Sequence, residues 1–131
     1  MNYKNNKIYL ISSHDAPDEH CFISSTTQKY LSQRIEFHRS NYKKYKQNCN
    51  KIEDLNERHL YQKQQHCKSN FLYKLFDEYN IDTIYIKLLE EHPCESKDAQ
   101  KARELHYIRT KANINNTGFK GYWDKSEEED E

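Results

Sequence analysis

Hydrophobic and polar character alternates from Lys7 to Ser12, with Ile8 and Leu10 set against Tyr9 and Ile11. Successive side chains of a strand point to opposite faces, so this period predicts a half-buried β-strand. Cys21–Ser24 has the composition of a second, shorter strand, and the polar stretch 13–20, which contains Pro17, reads as an exposed hairpin loop between them. From Thr27 the spacing becomes helical: Leu31, Ile35, Tyr42 and Tyr45 form one apolar stripe, with Thr26 or Thr27 as the expected N-cap. Arg34 and His38 stand at i and i+4 on a neighbouring face.

Residues 47–68 are polar, with Ile52, Leu55, His59 and either Gln62 or His66 on one side. They predict a loop that becomes a helix near Ile52 and packs lightly on the body. Asn70–Tyr79 repeats Phe71, Leu72, Leu75, Phe76 and Tyr79 at three and four, the spacing of a core helix. Thr83–Glu90 alternates again, Ile84, Ile86 and Leu88 against Tyr85, Lys87 and Leu89, and is expected to be the best-paired strand. Pro93 stops it. Ser96 is the expected cap of a helix over 97–111 with Ala102, Leu105, Ile108 and Ala112 inward and Glu104 beside that stripe at a cleft edge. A coil or short last strand around Ile114 follows. The order predicts an α+β domain (α/β sandwich-like), a small three-stranded antiparallel sheet flanked by helices. No internal repeat interrupts it.

Composition restricts how such a domain can be built. Of 131 residues, 34% are apolar and 32% charged, so eleven tyrosines and five phenylalanines must supply much of the buried area. The zero formal net charge conceals an asymmetry: residues 124–131 carry six acids and one lysine, whereas residues 27–51 carry seven Lys/Arg against Glu36. A basic body attracts polyanions, and the acidic tail, residues 117–131, is expected to be disordered. Lys29, Arg39, Lys43, Lys44 and Lys46 are the candidate phosphate contacts; a solvated helix face is the plainer account of them.

Cys21, Cys49, Cys67 and Cys94 form no CxxC pair. A zinc set of Cys49, His59, His66 and Cys67 can be drawn, but its spacing matches no common finger. The N-terminus lacks the apolar run of a signal peptide, and no segment approaches the ~18 apolar residues of a membrane span. The expectation is a soluble, intracellular protein with free thiols, without a membrane or small-molecule cofactor.

These residues, taken in order, resemble the GIY-YIG nuclease family in the short single-domain form of large DNA viruses. The likeness spans residues 7 to about 116, which defines an expected domain 1–116 with a polar insertion at about 47–68. The family's first motif, Gly-Ile-Tyr, falls on Lys7, Ile8 and Tyr9; its second, Tyr-Ile-Gly followed by Ser-Thr-Thr, falls on Phe22, Ile23, Ser24 and then Ser25, Thr26, Thr27. Arg34 and His38 match the arginine and the histidine or tyrosine of the following helix. Glu104 matches the metal-binding glutamate, and Asn115 a later asparagine.

The resemblance implies hydrolysis of DNA phosphodiester bonds with Mg2+ or Mn2+ held by Glu104. In that scheme Tyr9 orients or deprotonates water, Arg34 holds the phosphate with its planar fork, and His38 relays a proton or contacts the phosphate. A tyrosine acts as a base near neutral pH only beside a cation or metal that favours phenolate, a field Arg34 is placed to supply. Two positions depart from the pattern: Phe22 lacks the second tyrosine's hydroxyl, and Ser24 replaces a glycine. The competing readings are an inactive relative that binds nucleic acid and a protein-interaction domain.

Overall fold

The computed structural model describes residues 2–115. The acidic tail therefore lies outside the described residues. Three strands form one antiparallel sheet: β1 (Lys7–Ser13), β2 (Phe22–Thr26) and β3 (Ile84–Glu91), in the order β2-β1-β3. β1 is the central strand, whereas β3, expected to be the best paired, lies at an edge. Centrality explains the sequence of β1, whose apolar residues are buried on both faces. Tyr9 sits opposite Ser24 of β2 and Leu88 of β3, and a register shift on the β3 side falls between Ile8 and Tyr9.

Four helices complete the described fold: α1 (Leu31–Lys51), α2 (Leu55–Lys68), α3 (Leu72–Glu78) and α4 (Lys97–Thr110). One sheet face, bearing Tyr9, Ile11 and Phe22, packs against Ile35 of α1 and Leu72, Leu75 and Phe76 of α3. The other, bearing Ile8, Leu10, Cys21 and Ile23, packs against Tyr107 and Ile108 of α4. The result is the expected α+β arrangement, with the sheet between helical layers.

α1 begins four residues later than its sequence suggests. Thr26 pairs with Lys7 as the last residue of β2, and its hydroxyl accepts the Gln28 N–H at 3.1 Å, so it serves a turn rather than a helix cap. The Tyr30 N–H is met instead by Gln33 Oε1 at 3.4 Å. At its other end α1 absorbs residues 47–51, leaving only residues 52–54 as a connection before Asp54 caps α2 by accepting the Glu57 N–H at 2.9 Å. The first half of α2 is little packed, with Leu55 73% and Leu60 57% exposed, and the helix is anchored near its end by buried His66. Two consecutive left-handed residues, Asn70 (φ 51°) and Phe71 (φ 69°), then turn the chain into α3. The Phe71 N–H donates to the His66 carbonyl at 2.7 Å, closing the end of α2.

A polar cluster ties α1, α2 and α3 together. The Asp77 carboxylate accepts from Tyr42 (2.6 Å) and Tyr45 (3.1 Å), and His66 Nε2 and Lys46 Nζ lie 3.1 and 3.4 Å from it. Burial opposes its ionisation, but hydrogen bonds from His66 and Tyr42 and the charge of Lys46 outweigh burial and hold the carboxyl below the usual range. Asp77→Ala strands these donors and is expected to lower stability by about 2–3 kcal/mol, read as a lower urea midpoint. An unchanged midpoint would show that water replaces the carboxylate.

α4 docks differently from its apolar pattern. Leu105 is 39% exposed, Ala102 and Ala112 are exposed, and only Ile108 of the expected stripe turns toward the sheet. Polar contacts fix the helix instead. Gln100 Nε2 donates to Asn6 Oδ1 at 2.8 Å, Arg103 Nε donates to Glu90 at 2.6 Å, and the Tyr107 hydroxyl donates to Glu90 at 3.1 Å. This rotation turns Glu104 toward β2. No helix among the described residues is long and apolar enough to cross a membrane.

Candidate active site

Tyr9, at the centre of the sheet, is fully enclosed, at 0% exposure. Its phenol oxygen accepts Arg34 Nε at 3.1 Å and lies 2.8 Å from His38 Nε2. One helical turn separates the two α1 residues, so the i,i+4 spacing brings both onto a single atom of β1. A guanidinium can only donate, so the phenol's own hydrogen remains free for His38 Nε2 in the tautomer that leaves that nitrogen unprotonated. The Arg34 carbon Cζ also lies 4.5 Å from the Phe37 ring centre. The hydrogen bonds of Arg34 among the described residues use Nε alone, so its terminal nitrogens are available to a ligand.

Burial sets the resting protonation. The Tyr9 phenol is raised above its ordinary pKa first by burial, with a smaller contribution from Glu104, and the opposing Arg34 charge and hydrogen bond do not overcome this. The field expected to favour phenolate is present, but near neutral pH the enclosed phenol keeps its proton. His38 is pushed down to about 4, by burial first and by Arg34 second. A neutral phenol, a neutral imidazole and one guanidinium thus share one hydrogen-bonded network.

Glu104 joins this network through β2. Its Oε1 accepts the Ser25 hydroxyl at 2.9 Å and the Ser24 hydroxyl at 3.3 Å, while Oε2 faces Lys101 Nζ at 3.6 Å. Ser24 stands opposite Tyr9 in the β1–β2 register, so the residue at the glycine position is both the strand neighbour of Tyr9 and a hydroxyl donor to the Glu104 carboxylate. Phe22 packs edge-on against His38, ring centres 5.9 Å apart, within the core that holds Tyr9. Its missing hydroxyl leaves no polar gap there.

Asn115 is engaged elsewhere. Its Oδ1 accepts the Ile23 N–H at 2.8 Å and its Nδ2 donates to the Ile23 carbonyl at 2.6 Å, satisfying both backbone groups of Ile23 on the outer edge of β2. It positions the strand, and its hydrogen bonds among the described residues go to Ile23 and Asn113 and not to Tyr9, Arg34, His38 or Glu104.

A groove of about 520 Å3 opens beside the network, between the β2–α1 loop, the start of α1 and the start of α4. Arg34, Lys97 and Lys101 supply positive charge, and Thr26, Thr27 and Gln28 supply polar groups. Lys97 and Lys101 were not among the sequence candidates; their i,i+4 spacing after the Ser96 cap was the available signal. The residues that were proposed from the basic stretch divide in use. Arg39 bonds Glu36 (2.7 Å) and the Ile84 carbonyl (3.3 Å), Lys46 bonds Asp77, and Lys29 lies over Tyr30, whereas Lys43 and Lys44 stand exposed.

Among the described residues, no group of three or more His, Cys, Asp or Glu side chains is arranged to hold a metal, which includes the drawn Cys/His zinc set. The hard oxygen donors of Glu104, Ser24 and Ser25 suit a hydrated divalent cation that takes one protein carboxylate and keeps waters. Compared with protein-family models, curated proteins and solved structures, the chain matches none.

Proposed function

We propose that this chain is a metal-dependent endonuclease of the GIY-YIG kind, acting on DNA phosphodiester bonds. The observation that carries the reading is the meeting of Tyr9, Arg34 and His38 at one phenol oxygen, with Glu104 bonded to Ser24, the strand neighbour of Tyr9, beside a basic groove. The terminal nitrogens of Arg34 receive the scissile phosphate with fork geometry. Phenol and imidazole take up and return a proton as water enters and the 3′ oxygen leaves. Glu104 would hold Mg2+ or Mn2+, which when bound neutralises charge on the phosphate and favours ionised water.

A specific observation favours a second reading, in which the same groove binds DNA without cutting it. Tyr9 is wholly enclosed and its phenol is held protonated, so chemistry requires Arg34 to move outward with the substrate. Incubation with supercoiled and branched DNA separates the two. The expected result is nicking with Mg2+ or Mn2+ that stops when EDTA removes the metal. Uncut DNA at every protein concentration, with salt-sensitive binding retained, would leave the second reading.

A further inference from the structure

Away from Tyr9, a second cavity of about 200 Å3 opens between α1, α2 and α3. Its walls are aromatic. Tyr61 of α2 and Tyr73 of α3 both lie nearly parallel to Tyr45 of α1, at interplanar angles of 17° and 22° and centre separations of 6.3 and 4.8 Å. Tyr45 is held in place by Asp77 and His66 behind it, and Asn48 Nδ2 steadies Tyr61 by donating to its hydroxyl at 3.3 Å.

The remaining lining residues are amides and a cation. Asn41 and Asn48 of α1 and Gln65 of α2 each present donors and an acceptor, and Lys44 stands at the rim. No carboxylate lines the cavity among the described residues. Parallel phenols offer flat faces, the amides match the mixed edge of a nucleobase, and the lysine meets a phosphate. The volume falls below the ~300 Å3 typical of sites for whole cofactors, so it suits a single planar ring. In a duplex, faces and pairing edges are occupied, which excludes a paired base.

We infer that this cavity holds one unpaired base of a nucleic-acid single strand, stacked against Tyr61 and Tyr73, with its edge met by the amides and its phosphate by Lys44. Lys44 stands ~15 Å beyond Arg34 along the axis of α1. The C-terminal half of α1, with α2 and α3 against it, thereby becomes a means of choosing substrates with unpaired segments. The inference rests on the nucleic-acid reading above and does not require cleavage.

Fluorescence anisotropy of the full chain without divalent metal tests it, using labelled oligothymidylate, oligouridylate and a duplex of equal length. The expected result is tighter binding of single strand than of duplex. Tyr61→Leu should weaken single-strand binding about tenfold or more without changing duplex binding. Because Tyr61 is half-buried, its circular dichroism is compared with wild type, and exposed Lys44→Gln provides an independent variant that should reduce the single-strand salt slope by about 0.7. Equal losses for the two oligonucleotides assign recognition to the base; loss for oligothymidylate alone assigns it to DNA. Equal affinity for single strand and duplex, or single-strand binding untouched by both variants, overturns the inference. Single-strand binding that responds to both variants in a protein that never cuts would overturn only the nuclease reading.

Discussion

Glu104→Gln is expected to lower metal-dependent DNA cleavage by ~10²–10³-fold while leaving low-salt DNA binding as tight as wild type or tighter. The amide keeps an oxygen where the Ser24 and Ser25 hydroxyls donate, so the support of β2 survives the change. Only the charge is lost. Lys101, which faces Oε2 at 3.6 Å, is then released from its carboxylate and adds to the positive field of the groove. The divergence of the two readouts is diagnostic, because misfolding lowers both together. Gel-resolved plasmid nicking and salt-titrated anisotropy on the same preparation measure them. A variant that cuts at the wild-type rate would remove Glu104 from the chemistry, and one that neither cuts nor binds would indicate that the carboxylate is structural.

The second large effect concerns His38 and acid. Its pKa in the folded chain is about 4, below the ordinary histidine value of 6.5, because burial and the neighbouring Arg34 disfavour imidazolium. Between those values the unfolded chain binds the extra proton and the folded chain does not, so stability is lost as pH falls from about 6.5 toward 4. The shift corresponds to roughly 3 kcal/mol, a large part of a small domain's stability. Asp77 acts in a lower window: its stabilisation is present above the ordinary aspartate pKa and is lost as pH falls through its depressed folded value. Urea midpoints measured from neutrality to mildly acidic pH should therefore decline before Asp77 contributes. His38→Gln, which retains an acceptor for the Tyr9 hydroxyl but cannot be charged, should flatten that decline. An equally steep decline in the variant would assign it to another group.

The legibility of this chain follows the kind of force at work. Where apolar burial dominates, periodicity locates the element: β1 and the core helix containing Leu75 and Phe76 lie within a few residues of the alternation and three-four spacing that predict them. Arg34 and His38 were placed together by helical geometry alone, and they meet at Tyr9. Where polar contacts dominate, the same method turns an element the wrong way. α4 is oriented by Gln100 on Asn6 and by Arg103 and Tyr107 on Glu90, none of which leaves a hydrophobic period, so Leu105 looked inward and is exposed. The start of α1 was misplaced because a threonine hydroxyl can serve a strand turn as readily as a helix cap. Asn115 was assigned from resemblance, and its residue type alone could not reveal that both amide atoms are used on the Ile23 backbone.

That use of Asn115 has a consequence for self-association. An edge strand with unpaired N–H and C=O groups is a template for a strand from another molecule. Just before β2 the Ile114 N–H covers the Cys21 carbonyl, and within it the Asn115 side-chain amide covers both backbone polar groups of Ile23, so a two-residue imitation of a fourth strand occupies the start of the template. The first half of that edge is thus occupied by the chain itself, which shortens the stretch of apolar strand that a small domain with an open, charged groove offers to its neighbours.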